Sequence, residues 1–144
     1  MNYLLDTCII SEVWKREPHP EVLKWLERQA EQNLFLSSLT IGELTKGIGR
    51  MPASARRDRL RAWVTQTLPV RFKGQILNID SDTAARWGAM LAEAEKRGEA
   101  LPIVDSLMAA TAAFHDLTVA SRNEEDFHRC RVPVFNPWSG GDSP

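Results

Sequence analysis

Apolar and polar positions follow two different periods along this chain. Short apolar runs of strand length recur at 3–5 (YLL), 34–37 (LFLS), 76–79 (ILNI), 117–121 (LTVAS) and 132–135 (VPVF). Between them, apolar residues return every three or four positions, which marks one buried face of a helix. A short helix is expected near 10–16, punctuated by Pro18 and Pro20. Val22, Leu23, Trp25 and Leu26 mark a second, running to about residue 32. Ile41, Leu44 and Ile48 form a stripe that ends at Gly49 and Pro52. Leu60, Trp63, Val64, Thr67 and Leu68 share another face, which Pro69 should terminate because it has no N–H to donate. Asp80, Ser81 and Asp82 open a helix carrying Trp87, Leu91 and Ala94, and it ends near Gly98. Pro102 opens a last long helix over 103–115, with Ile103, Leu107, Ala110 and Phe114 in register. Pro133 puts the final strand at a sheet edge.

Strands that alternate with helices predict an α/β fold: a three-layer α/β/α sandwich around a five-stranded, mainly parallel sheet. No repeat or interior linker divides the chain, so residues 1–138 are expected to form one domain and 139–144 a flexible tail. In such a sheet, ligands bind beyond the carboxyl ends of the strands, where strand order reverses. The residues that follow each strand therefore matter most.

Those junctions are acidic. Asp6 follows the first strand directly, Glu43 lies early in the helix after the second, and Asp105 sits in the first turn of the 103–115 helix. Asn123 and Asp126 follow the fourth strand. Each has a simpler explanation. Thr40-Ile-Gly-Glu43 fits a capping box, Asp105 suits a helix N-terminus, Asn123 with Asp126 reads as a helix start, and Asp6 could cap a helix beginning near Ile9. Meeting at one edge, however, these carboxylates would repel one another unless a hard divalent cation joined them, and oxygen ligands suit Mg²⁺ or Mn²⁺.

Other chemistries on this architecture lack their motifs. There is no G-x-G-x-x-G after the first strand, no P-loop and no G-x-S-x-G elbow. A phosphatase using Asp6 as nucleophile would want a second Asp at the position held by Cys8. His19, His115 and His128 show no ligand spacing, and Cys8 and Cys130 make neither a disulfide framework nor a zinc site.

Composition narrows the setting. With 43% hydrophobic and 26% charged residues the chain has an ordinary globular balance. No apolar run approaches the roughly 20 residues needed to span a bilayer, and no signal peptide is visible, so a cytoplasmic protein without membrane attachment is expected. The net charge of −1 argues against indiscriminate nucleic-acid binding, but its distribution does not. Residues 46–73 hold eight basic side chains and one acid, Asp58. Lys46, Arg50, Arg56 and Arg57 are the candidates for contacting a polyanion beside an acidic centre.

LLDT-x-IISE at the start, SSLTIGELTKGI, LPIVDSLMAATA and VASRNEEDF resemble the PIN domain, and most closely the VapC and FitB-like toxins of type II toxin–antitoxin systems. The FNPW sequence at 135–138 resembles the FitB-like group as well. The resemblance spans nearly the whole chain. It implies a Mg²⁺- or Mn²⁺-dependent endoribonuclease that hydrolyses RNA with a metal-activated water. Asp6, Glu43 and Asp105 would be the metal ligands, and Asn123, or Asp126 three residues on, would hold a fourth catalytic position. Ser121 would support a bound water, with Asp126 and Thr7 as further support. Two departures stand out: Asn123 replaces a usual acid, and Cys8 a usual Asn or Ser. The first leaves open a catalytically weak or inactive module that binds RNA or protein. The implied partners are an RNA substrate, a cognate antitoxin, and a second copy of the chain or a toxin–antitoxin hetero-oligomer. Trp14, Trp25 and Trp138 are candidates for such interfaces or for core packing.

Overall fold

A computed structural model describes residues 1–140. The expected flexible tail at 139–144 therefore lies largely outside the described residues. Ser139 and Gly140 are described: Ser139 closes a 3₁₀ turn, Pro137–Ser139, and Gly140 follows it in a left-handed conformation.

Five strands form one all-parallel sheet: β1 (Tyr3–Leu5), β2 (Leu34–Ser37), β3 (Ile76–Leu77), β4 (Thr118–Ala120) and β5 (Val134–Phe135). Their order is β3-β2-β1-β4-β5. Tyr3 pairs with both Leu34 and Thr118, so β1 is central and strand order reverses across it. Pro133 does precede an edge strand, where its missing N–H costs no ladder bond.

Alternation along β1 divides the core. Tyr3 and Leu5 face one layer, with α1 (Thr7–Val13), α2 (Pro20–Arg28), α3 (Ser38–Arg50), α4 (Ala55–Ala62) and α5 (Leu68–Arg71). Leu4 faces the other, with α6 (Ser81–Lys96), α7 (Ile103–Phe114) and α8 (Glu124–Arg129). Leu4 is 0% and Leu5 1% exposed, and burying each such side chain contributes about 1.5–3 kcal/mol. Strand β1 is thus clamped from both faces, which fixes the position of the residue that follows it. Trp25 belongs to this core rather than to a surface: its ring meets Tyr3 edge-on at 4.9 Å and tilts against Phe135 at 5.6 Å. Trp14 is half-buried against Trp63.

Three boundaries differ from the periodicity. The first helix begins at Thr7, not near residue 10, because Asp6 caps it: its side chain accepts from the Thr7 N–H and its carbonyl from Ile9. The second ends at Arg28, and a 3₁₀ turn, Glu31–Asn33, leads into β2. Pro69 does not stop its helix. The chain widens into a π turn, Trp63–Thr67, in which the Leu68 N–H reaches back to Trp63, and helix resumes through Arg71. A π turn relieves the clash between a proline ring and the carbonyl four residues earlier.

Candidate active site

The carboxyl ends of β1 and β4 lie side by side, joined by the Asp6 N–H to the Ala120 carbonyl at 2.9 Å. Beyond them is an open hollow of about 470 Å³ lined by Asp6, Thr7, Cys8, Glu43, Asp105, Arg122 and Asn123. It lies at the reversal of strand order, where ligand sites of open parallel sheets form.

Asp6 is at once helix cap and hollow wall. It is 8% exposed and held by three donors. The Thr7 N–H reaches Oδ1 at 2.8 Å, the Ser121 hydroxyl reaches Oδ2 at 2.7 Å, and the Cys8 thiol approaches Oδ2 at 3.6 Å. Ser121 is itself buried, and its oxygen accepts the Asn123 backbone N–H at 2.9 Å. Burial, then the charge of Asp6, pushes the Cys8 thiol up to about 11, so it remains a protonated weak donor rather than a nucleophile.

Glu43 does not close a capping box. Ser37 caps α3 by accepting from the Leu39 N–H, and Thr40 lies buried inside the first turns of the helix. Glu43 instead accepts from the Thr7 hydroxyl at 2.5 Å, and that hydroxyl also lies 3.0 Å from Thr40 Oγ1. A carboxylate one turn into an exposed helix face is thereby tied to the residue beside Asp6.

Asp105 stands in the first turn of α7, as expected. Burial raises its carboxyl to about 6, reinforced by the negative charges of Asp6, Asp126 and Glu43. Asn123 occupies the N-cap position of α8 but makes no side-chain cap bond. Its amide nitrogen donates to Asp105 Oδ2 at 3.0 Å and to Asp126 Oδ2 at 2.8 Å, bridging two carboxylates that would otherwise repel. Asp126 lies behind Asn123 and forms a short ion pair with Arg129.

Whether a divalent cation suits these residues has a mixed answer. Among the described residues, no group of three acidic, thiol or imidazole side chains closes into a metal cage. Thr7 holds Glu43, and the Asn123 amide holds Asp105. The donor chemistry nonetheless fits a hard cation: oxygens from three separate elements surround one hollow. Repulsion from the neighbouring acids adds to burial in raising Asp105, and a divalent charge would remove that part of the cost.

The basic segment divides in two. Lys46 and Arg50 follow Glu43 by three and seven residues on α3, so all three share one exposed helix face. Arg56 is committed elsewhere: its guanidinium donates to the Trp14 carbonyl at 2.8 Å. Arg57 is half-buried beside Asp58. The histidines do not line the hollow; His19 caps α2 by accepting from Glu21.

Two residues near the hollow escaped the sequence reading. Arg122 lies between Ser121 and Asn123, both already singled out, and lines the hollow. Glu12 belongs to the LLDT-x-IISE motif yet is buried. A carboxylate set among the apolar residues Ile9, Ile10, Val13 and Trp14 was the available signal.

The model of the PIN domain matches residues 3–132. The plasmid stability protein StbB of Pseudomonas syringae pv. tomato is 37% identical over 135 residues, covering 94% of this chain and 97% of the relative. The VapC ribonuclease Y4jK of Sinorhizobium fredii is 34% identical over 135 residues, covering 94% and 96%. The crystal structure of FitAcB from Neisseria gonorrhoeae superimposes with a TM-score of 0.89 at 34% identity, covering 94% of this chain and 98% of that one. The chain belongs to the PIN domain family. Within it, the chain falls in the VapC/FitB-like branch, on the three-layer fold expected of that branch.

Proposed function

We propose that this protein is a Mg²⁺- or Mn²⁺-dependent endoribonuclease and the toxin of a type II toxin–antitoxin pair. The observation that carries this reading is the delivery of Asp6, Glu43 and Asp105 from three separate elements to one hollow at the sheet's switch point. The similarity to a relative named a VapC ribonuclease supports RNA as the substrate.

Asp6, Glu43 and Asp105 would hold the cation, with the Asn123 amide oxygen as a neutral fourth donor after the amide turns over. When bound, the ion would lower the pKa of water and offset charge on the scissile phosphate. Ser121, Thr7 and Cys8 keep Asp6 in one orientation. Before that turn, Asp126 holds the Asn123 amide nitrogen. Lys46 and Arg50 carry the RNA backbone toward Glu43, and single-stranded RNA suits this open surface. Neither Arg56 nor Arg57 is as free for that task.

A cognate antitoxin fits the VapC/FitB-like branch. No described helix is long and apolar enough to cross a membrane. The neutral Asn123 and the open arrangement of the acids also suit a second reading, a PIN module that binds RNA or protein without cutting. Calorimetric titration with Mn²⁺ separates the two. The nuclease reading requires saturable binding that Asp6→Asn or Asp105→Asn abolishes; the absence of binding would favour the inactive module.

A further inference from the structure

We propose that Arg122 is the residue that grips an RNA phosphate at the acidic hollow, and that Glu12 and Trp138 exist to hold it there. This deepens the ribonuclease reading and rests on it for the choice of ligand.

A phosphodiester entering a ring of carboxylates needs a cation beside it. Among the described residues lining the hollow, Arg122 alone carries a positive charge. A guanidinium so close to Asp6, Glu43 and Asp105 would be expected to collapse onto one of them. It forms no ion pair with any of the three. It is drawn aside: its carbon lies 4.4 Å over the Trp138 ring, and Nη2 lies 3.5 Å from Glu12 Oε1. Cation–π stacking and one charged contact hold the group while its side chain stays 55% exposed. One nitrogen is engaged, and a guanidinium has five N–H donors in a planar fork suited to two phosphate oxygens.

The supports are built for rigidity. Glu12 accepts from Lys15 at 2.9 Å, the His19 N–H at 3.1 Å, the Trp138 indole at 3.3 Å and Arg122. Burial works to raise its pKa, but the bonds from Lys15 and His19, with those of its other partners, outweigh it and keep the carboxyl below its ordinary range. Trp138 is fixed in turn. Asn136 Oδ1 accepts the Trp138 N–H at 2.9 Å, and the Asn136 amide reaches Glu124 at 3.0 Å on α8. Two sequence features otherwise without a task, the Glu of IISE and the FNPW tail, thus converge on one side chain at the mouth of the site. Arg122 would be a binding residue, and Glu12 and Trp138 positioning residues.

The test measures binding of a short fluorescein-labelled single-stranded RNA by anisotropy, in Ca²⁺ to suppress cutting, across a salt series. Cleavage in Mg²⁺ is followed separately. Arg122→Ala should weaken binding by about tenfold and flatten the salt slope by about 0.7, the loss of one phosphate contact on a single strand. Arg122→Lys should recover part of the affinity, and Trp138→Leu should lose less than Arg122→Ala at unchanged salt slope. If Arg122→Ala binds with the parent's affinity and slope, the assignment is overturned, whether or not the parent cuts RNA. If the parent fails to cut but Arg122→Ala still loses affinity, Arg122 stands and the ribonuclease reading falls. A parent that binds no RNA overturns both.

Discussion

Ser121 and Asp6 meet through a buried 2.7 Å hydrogen bond across 115 residues of sequence. The bond joins the carboxyl ends of two adjacent strands and aims a carboxylate into the hollow. Ser121→Ala removes this bond and also orphans the Asn123 N–H that the serine oxygen accepts. We expect a loss of about 1–3 kcal/mol in chemical denaturation. Any cleavage activity should fall further than stability does, because Asp6 loses its orientation.

Glu43→Gln separates a ligand from a structural carboxylate. Glu43 caps nothing and is exposed on α3, so stability in chemical denaturation should stay within about 0.5 kcal/mol of the parent's. Mn²⁺ affinity and RNA cleavage should both drop by at least about tenfold. A destabilised but fully active variant would leave Glu43 a purely structural partner of Thr7.

Asn123→Asp reverses the family departure. The amide now donates to Asp105 and Asp126, and an aspartate there would face both with a like charge. The metal-free protein should melt lower at neutral pH, while its Mn²⁺ affinity should rise. Thermal melts with and without the ion read both effects in one experiment.

Asp105 gives a pH signature without metal. Its carboxyl is raised from 3.8 to about 6, so the folded state holds the proton more tightly than the unfolded chain does. Its favourable contribution is therefore fully present below about pH 4 and is lost as pH climbs through 6. Asp105→Asn should be more stable than the parent at pH 7.5 in chelator, and the difference should shrink toward pH 4. Denaturation curves at those two values check the sign.

The sheet and most of its helices were legible because apolar period and strand length are properties of local sequence. All five strands fell where short apolar runs lay. Boundaries were lost where a single side chain overrode period: Asp6 starts α1 at Thr7, and Pro69 is absorbed by a π turn instead of ending its helix. The junction acids could be gathered from strand order alone. Their hydrogen bonds could not, since Thr7 to Glu43 and Ser121 to Asp6 depend on how separate helices and strands dock. Arg122 was hidden for the same reason, because its partners lie 110 residues before it and in the last described turn, Pro137–Ser139.

The most direct measurement is incubation of end-labelled single-stranded RNA with the chelator-washed protein, with and without added Mg²⁺, beside Asp6→Asn. Mg²⁺-dependent fragments bearing 5′-phosphate and 3′-hydroxyl ends are expected from the parent, and none from Asp6→Asn. Cutting that persists in chelator, or that Asp6→Asn leaves intact, would contradict the metal-dependent ribonuclease reading.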